Sequence, residues 1–304
     1  MQNLNNLKNG REMANKADYW RKRLLLEDDD TIKDIENAVL ERGLDIEDEK
    51  PNDEILHITE IKDEIDKEYK NWGKLNGLST GYPSLDDAIG GLGKGQVVLV
   101  GGATSQGKSA FVTNIAINVA KNKPVLFITL EMRRAEVGAR IKHINNGNTD
   151  DLDIMFQAEH RLTYKDLKPL IIKALDMGEI KLVVLDYLQY LGRGMTEKEV
   201  AIMSKEIKTI ALEFNIPLLV IVSLRKSEGG KNKRHWKDIE IEDYMGSGAI
   251  GYDCDSAFIV SRKDELDEYD ETGIHIKILK TRNTKLNKRF IRFSWNATKI
   301  TEDW

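Results

Sequence analysis

The chain has 304 residues, 40% hydrophobic and 32% charged, with a formal net charge of −5, a length that allows one large domain or two modest ones. One cysteine excludes an intrachain disulfide framework and points to a reducing compartment. No run of about 18 apolar residues is available for a membrane span, and MQNLNNLKNGREMANK holds no apolar signal core, so a cytosolic location is expected.

Net acidity alone argues against a nucleic-acid partner, but the charge is uneven. Residues 1–75 carry 13 Lys plus Arg against 20 Asp plus Glu, a balance of −7; the rest carries 33 against 31, or +2. Local basic loops on a near-neutral body are therefore open to such a partner.

Residues 1–50 are polar and acidic. Asp18 to Leu26 and Thr31 to Arg42 read as short helices, the second closed by Gly43. Ile46-Glu-Asp-Glu-Lys-Pro51 reads as a linker. From Asp53 to Trp72, Ile55, Ile58, Ile61, Ile65 and Tyr69 fall at helical spacing and form one apolar stripe on a charged helix. Such a stripe packs either on its own domain or on a neighbouring subunit, and periodicity does not choose between them.

Composition shifts at Gly73. Leu78-Ser-Thr-Gly-Tyr-Pro-Ser-Leu-Asp86 and the glycines at 90, 91, 93 and 95 make a loop-rich entry. Gln96 to Val100 is then an apolar, β-branched run. After it, Gly102-Ala-Thr-Ser-Gln-Gly-Lys108-Ser109 fits the phosphate-loop pattern G-x-x-x-x-G-K-[ST] at every required position, and Ala110 to Ala120 reads as a helix. In that context Gly102, Thr104, Ser105, Gln106 and Gly107 wrap backbone around phosphate oxygens, and the helix N-terminus turns unpaired N–H groups toward the same anion. Lys108 is expected on the β- and γ-phosphates and Ser109 on Mg2+. A glycine-rich turn that merely precedes a helix leaves Lys108 and Ser109 unexplained.

Val125 to Thr129 reads as the next strand, followed by Glu131. A carboxylate at that edge either orients and deprotonates an attacking water or serves as the first charge of a helix. Leu182 to Leu185 is a further strand ending at Asp186, which after a phosphate loop reads as a Mg2+ ligand. Thr196 with Glu199 makes a capping box, and Val200, Met203, Ile207, Ile210, Ala211 and Phe214 form the helix's buried stripe. Leu218 to Val222 is a strand. Strands alternating with helices give an α/β fold with a mostly parallel sheet covered on both faces.

Arg225 to Lys237 carries six basic residues and one acidic one. Its Trp236 is either a stacking platform or a packing anchor. Cys254 reads as a small buried hydrophobe. Ala257 to Val260, Gly273 to Lys280 and Lys288 to Ser294 read as antiparallel edge strands, with Asp264 to Glu271 an acidic turn between the first two. Residues 280–292 hold six Lys or Arg and no acid; composition alone makes this a solvated hairpin.

Taken in order, Ser79 to Asp86 with Gly91-Leu92, the phosphate loop, Thr129-Leu-Glu-Met132 with Arg140, Leu185-Asp-Tyr-Leu-Gln189, Ser247-Gly-Ala-Ile250 with Asp253 and Asp255, and Lys280-Thr-Arg282-Asn283 resemble the ATPase domain of DnaB-like replicative helicases. The resemblance covers roughly residues 76–295. It implies a RecA-like P-loop NTPase domain over 76–304, preceded by a linker helix at 51–75 and a short acidic helical head at 1–50. It also implies a ring, usually a hexamer, with ATP and Mg2+ between subunits. Glu131 becomes the catalytic base, Arg140 a nucleotide-site residue, and Arg282, assisted by Lys280, a finger inserted into the neighbour's site. Single-stranded DNA is expected on Arg225, Lys226, Lys231, Lys233 and Arg234 and on Ser247 and Gly248, with unwinding of 5′-to-3′ polarity. A primase and a helicase loader are the further partners implied.

The sequence departs from the family in three places. Leu224 stands where a polar γ-phosphate sensor is usual. Met245 and Gly246 replace an Arg-Glu pair, and residues 1–50 are too short for the family's collar, which suggests a phage-type form. Two other functions remain open: a RecA-like recombination or annealing ATPase, and an ATP-gated loader or regulator.

Overall fold

The computed structural model describes residues 57–71, 77–158, 161–192, 194–224, 235–244, 248–264, 266, 268–282, 289–296 and 298–302. The two helices expected within 1–50, the linker at 46–51 and Ile55 lie outside them. The chain divides into two compact units, Met1–Ile65 and Asp66–Trp304. Helix α1, Lys62–Asn71, has Asp63 and Glu64 in its first turn and Lys70 in its last, the order that complements its dipole. Of the apolar stripe, Ile58, Ile65 and Tyr69 are exposed.

The second unit is built on one sheet. In chain order its elements are α2 (Pro83–Ile89), β1 (Val97–Gly101), α3 (Lys108–Ala120), β2 (Val125–Thr129), α4 (Arg134–Ile144), β3 (Ile154–Gln157), α5 (Leu167–Met177), β4 (Leu182–Asp186), α6 (Glu197–Phe214), β5 (Leu218–Ile221), α7 (Gly248–Asp253), β6 (Ser256–Ser261), β7 (Gly273–Thr281), β8 (Phe290–Asn296) and β9 (Lys299–Thr301). Among the described residues nine strands lie in the order β3-β2-β4-β5-β1-β6-β7-β8-β9. From β3 to β6 every pairing is parallel, and from β6 to β9 every pairing is antiparallel.

The expected mostly parallel α/β sheet with antiparallel C-terminal strands is thus present, with one correction: none of the three strands expected at the edge lies there, since β7 is paired by β6 and β8, and β8 by β7 and β9. Ala257 to Val260 was expected as an antiparallel edge strand. It is β6, an interior strand parallel to β1 on one side and antiparallel to β7 on the other. Its residues are buried throughout, as an interior position demands. Two strands have no sequence expectation behind them. β3 is a four-residue, half-buried edge strand paired to β2, and β9 has three residues. Neither is long enough to show a period.

The strands are apolar on both sides, and the period of two sends alternate residues to opposite layers. Val98 and Val100 of β1, Phe127 of β2 and Val184 of β4 join one core with α2, α3 and α4. Val97 and Leu99, Ile128 and Leu185 join the other with α5, α6 and α7. Helix α6 is capped as expected: Thr196 Oγ1 accepts from Glu199 N, and Val200, Met203, Ile207, Ile210 and Ala211 are buried.

Two details fix the elements that carry the phosphate loop. The segment before α2 is organised by Asp86, whose carboxylate accepts from Ser79 Oγ, Thr80 N and Thr80 Oγ1. Pro83 starts α2, and Gly90 ends it at φ 78°. Helix α3 is buried nearly all round. Phe111 stacks on Tyr82 at 5.7 Å and meets Phe258 edge-on at 6.0 Å. Asn114 donates to Thr298 O and accepts from Ile300 N, which ties α3 to β9.

Trp236 is a packing anchor. It is 5% exposed, donates from Nε1 to Asp264 O at 2.8 Å, and lies against His275 and Phe290. Beside it, buried Lys277 of β7 donates to Ile239 O at 2.6 Å and Glu240 Oε1 at 2.9 Å, so the segment 235–244 is fastened to the sheet. The stacking-platform alternative is thereby overturned, because the ring is already enclosed. Trp236→Ala is expected to destabilise the fold by about 3–5 kcal/mol, read as a fall in the urea midpoint. A loss below about 1 kcal/mol would mean the ring is not a core residue.

Candidate active site

The loop between β1 and α3 leaves the sheet where β1 ends at Gly101. Gly102 and Gly107 sit at φ 155° and 90°, and Ser105 at 62°. At Gly107 an added Cβ would lie 3.1 Å from Ile274 Cδ1 as well as in the left-handed region, so glycine is required there. Phe111 N donates to Gly107 O at 2.8 Å, the first bond of α3. Lys108 Nζ donates to Ala103 O at 2.8 Å, folding the side chain over its own loop. Burial lowers its pKa, and Asp186 and Glu131 pull against that shift.

Gln106 was expected among the phosphate-binding residues. Its side-chain oxygen accepts from Arg262 N at 2.8 Å and so fastens the loop to the end of β6. The Arg262 guanidinium lies over Trp295 at 4.4 Å and Tyr269 at 4.8 Å and donates to Asp270 O and Glu271 O. This brace was not foreseen. Its only signal in the sequence is an arginine directly after an apolar strand.

Asp186 ends β4 opposite Thr129 of β2. It is 2% exposed, and its Oδ1 has no hydrogen-bond partner among the described residues. Burial pushes its pKa up to about 6; Ser109 lowers it, Glu131 raises it, and Arg140 and Lys108 lower it. Leu130 N donates to Asp186 O at 2.7 Å, and Thr129 Oγ1 accepts from Met132 N, which shapes the turn that carries Glu131. The structure therefore gathers Lys108, Ser109, Asp186, Glu131 and Arg140 at the C-terminal edge of the parallel strands, the edge where open α/β sheets bind ligands.

An unpartnered buried carboxylate oxygen beside a serine hydroxyl suits a hard cation. Mg2+ keeps few protein ligands and completes its shell with phosphate oxygens and water, so Ser109 and Asp186 are a sufficient protein contribution. Among the described residues no group of three or more His, Cys, Asp or Glu offers an alternative metal site.

Lys280 and Arg282 lie elsewhere. Thr281 of β7 pairs with Ser256 of β6, which pairs with Val98 of β1. That level is near the start of β1, whereas the phosphate loop leaves its far end. Four residues of strand separate the two levels by roughly 13 Å. Sequence order gave no hint of this separation.

Residues 77–147 and 142–302 match the DnaB-like helicase C terminal domain family. The chain belongs to that family. It is 26% identical over 263 residues to the "Probable replicative DNA helicase" of Trieres chinensis, covering 74% of this chain and 57% of the relative. It is 29% identical over 265 residues to the "Replicative DNA helicase DnaB" of Mycoplasma pneumoniae, covering 74% and 55%. The chain thus spans little more than half the length of these curated relatives. Among solved structures, a DnaB-like replicative helicase described with its primase interactions superposes with a TM-score of 0.67 at 16% identity, over 97% of this chain and 76% of that one. The RadB recombinase superposes at 0.54 and 17%, over 75% and 100%. Both likenesses bear on the fold, which is RecA-like.

Within this DnaB-like domain several expected DNA contacts, Arg225, Lys226, Lys231, Lys233, Arg234 and Ser247, lie outside the described residues, as do Met245 and Gly246; Gly248 opens α7. The two ends of the basic segment are described. Leu224, in the place of a polar sensor, forms a bridge with Tyr244. Tyr244 is fully buried, donates to Phe258 O, and lies so close to Gly101 that a Cβ there would come within 2.1 Å of its ring. Gln189 accepts from Ser223 N at 3.1 Å. The basic segment is therefore rooted beside the strand that carries the phosphate loop.

The Asp186 carboxyl gives a pH test. Unfolded, it ionises near 3.8; folded and metal-free, near 6. The folded value is the higher, so its favourable contribution is complete below the unfolded value and is lost as pH rises through about 6. In EDTA, Asp186→Asn is expected to raise Tm more at about pH 8 than at about pH 5. Equal shifts at both pH values would mean that burial does not perturb this carboxyl.

Proposed function

We propose that the chain is the motor domain of an ATP-dependent DNA helicase. It translocates on single-stranded DNA and unwinds duplex DNA during replication, in the cytosol, as a ring of six copies with one nucleotide at each junction. The observation that carries this reading is the split site. The phosphate loop, Asp186 and Glu131 occupy one end of the sheet, and Lys280 and Arg282 the other. One copy cannot bring both ends to one nucleotide; two copies side by side can. The exposed Ile58, Ile65 and Tyr69 support assembly through the segment around α1.

In this reading Lys108 neutralises γ-phosphate charge and Glu131 holds and deprotonates the attacking water. Mg2+, held by Ser109 and Asp186, supplies charge stabilisation on the phosphates when bound. Arg282 of an adjoining copy stabilises charge that develops on the transferred phosphoryl group, and its arrival couples hydrolysis to the interface. The basic segment 225–234 tracks the DNA backbone without reading bases. Family membership and the named relatives favour the helicase over the recombinase and loader alternatives.

Glu131→Gln is expected to lower kcat for DNA-stimulated hydrolysis by ~10²–10⁴-fold while nucleotide binding persists, and Lys108→Ala to nearly abolish turnover. The unaltered protein is expected to unwind a fork with a single-stranded 5′ tail. No magnesium-dependent phosphate release with DNA overturns the enzyme reading; filaments and strand pairing without unwinding indicate the recombinase; nucleotide-dependent complexes with neither indicate the loader. Separately, neutralising Lys231, Lys233 and Arg234 together should reduce the salt slope of single-strand binding by about 2, measured by fluorescence anisotropy across a salt series. An unchanged slope moves the DNA site off this segment.

A further inference from the structure

The two basic residues at the far end of the sheet are built into a fixed frame. Arg282 donates from NH2 to Tyr252 O at 2.8 Å and from NH1 to Asp255 Oδ1 at 3.3 Å. Lys280 Nζ donates to Gly251 O and Tyr252 O, each at 2.9 Å. Both side chains are thus held against the C-terminal carbonyls of α7, where positive charge is favoured. The Arg282 side chain remains 47% exposed, so its head is gripped from behind and open in front.

Asp255 is the buried part of this frame. Its side chain is 10% exposed, and its Oδ2 accepts from Val97 N at 2.8 Å and Lys208 Nζ at 2.7 Å. Its own N–H donates to Val97 O at 2.9 Å. Val97 is the first residue of β1, the strand whose other end carries the phosphate loop. A planar guanidinium offers several donors in a rigid fork. Here one arm takes a carboxylate locked to β1 and the other a helix carbonyl, which fixes the plane of the group and leaves its remaining donors for a second molecule. Preorganisation of this kind lowers the cost of aligning a charge at the moment of reaction.

We propose that Asp255 is the positioning residue for Arg282, setting the guanidinium in the attitude in which the adjoining copy's nucleotide receives it. This rests on the reading that Arg282 acts between copies. Asp255 touches no nucleotide and acts only through Arg282, while its bonds to Val97 join that arginine rigidly to the same copy's phosphate-loop strand. Each subunit would then transmit a shift of its own nucleotide strand to the finger it offers its neighbour.

The experiment uses the full chain with ATP, Mg2+ and single-stranded DNA. Arg282→Ala is expected to lower kcat by ~10³-fold. Asp255→Asn is expected to lower it ~10–100-fold with KM for ATP unchanged, and the double variant is expected to be no slower than Arg282→Ala alone. In mixed assemblies, Glu131→Gln subunits, whose own site is dead but whose Asp255 and Arg282 are intact, should restore turnover at Asp255→Asn sites, as they should at Arg282→Ala sites. If Arg282→Ala is not rescued, the reading of action between copies fails. If Arg282→Ala is rescued and Asp255→Asn is not, or if the two substitutions are additive, Asp255 serves only its own subunit's fold and the proposal is overturned. Should Asp255→Asn not fold, Asp255→Glu keeps the charge but displaces it by one methylene, and the same rescue and the same additivity test apply.

Discussion

A parallel sheet sealed on both faces has only its two ends open to chemistry. That constraint organises this molecule. Val98, Val100, Phe127 and Val184 are committed to one core and Val97, Leu99, Ile128 and Leu185 to the other. Along the parallel strands β1, β2 and β4 a polar group in these places would forfeit burial worth about 1.5–3 kcal/mol per large side chain. The reactive groups therefore appear where strands stop: Asp186 and Glu131 after β4 and β2, the phosphate loop after β1, and Lys280 and Arg282 where β7 leaves the sheet at the opposite end. The proposed division of one active centre between two copies rests on that geometry.

The charged groups at the two ends are handled differently. At the phosphate end Asp186 is buried with an oxygen unpartnered, and its carboxyl is pushed up to about 6 chiefly by burial. Such a group is unfavourable until a cation arrives, and it turns ligand binding into stabilisation. At the far end Asp255 is satisfied on all sides by Val97 N, Lys208 and Arg282. In the proposed reading the first end is completed by a cation, whereas the second is complete in itself and holds the Arg282 side chain. Between them run β1 and β6, five and six residues long and paired to each other in parallel, the strands along which the proposed coupling would pass.

The C-terminal strands do more than extend the sheet. Asn114 binds the backbone of Thr298 and Ile300, and Tyr82 donates to Ile300 O, so β9 holds both α3 and the entry to α2. Arg262, stacked between Tyr269 and Trp295, holds Gln106 through its backbone N–H. The phosphate loop is thus fixed by residues roughly 155–185 positions away in the chain, a separation that favours rigidity over rapid local folding.

How much of this could be read from the amino acids alone depends on whether the information is local. The phosphate loop, the strands at 97, 125, 182 and 218, and the Thr196 cap are local: glycine conformational freedom, β-branched runs and a capping side chain act within a few residues. The two short strands β3 and β9 carry no period of their own and exist because a neighbour offers unpaired backbone, so they were not visible. The interior positions of β6, β7 and β8 are not legible for the same reason, since a strand's neighbours and pairing direction are set by its partners. Trp236 could be weighed but not decided, because enclosure by His275, Phe290 and the Asp264 carbonyl comes from three distant segments. Most of all, sequence determined that Lys108, Asp186 and Arg282 exist and what chemistry each can perform. Only the tertiary structure decided that the first two meet and the third lies at the opposite end of the sheet, because strand register, which sets distance along the sheet, is fixed by packing between strands and not by spacing along the chain.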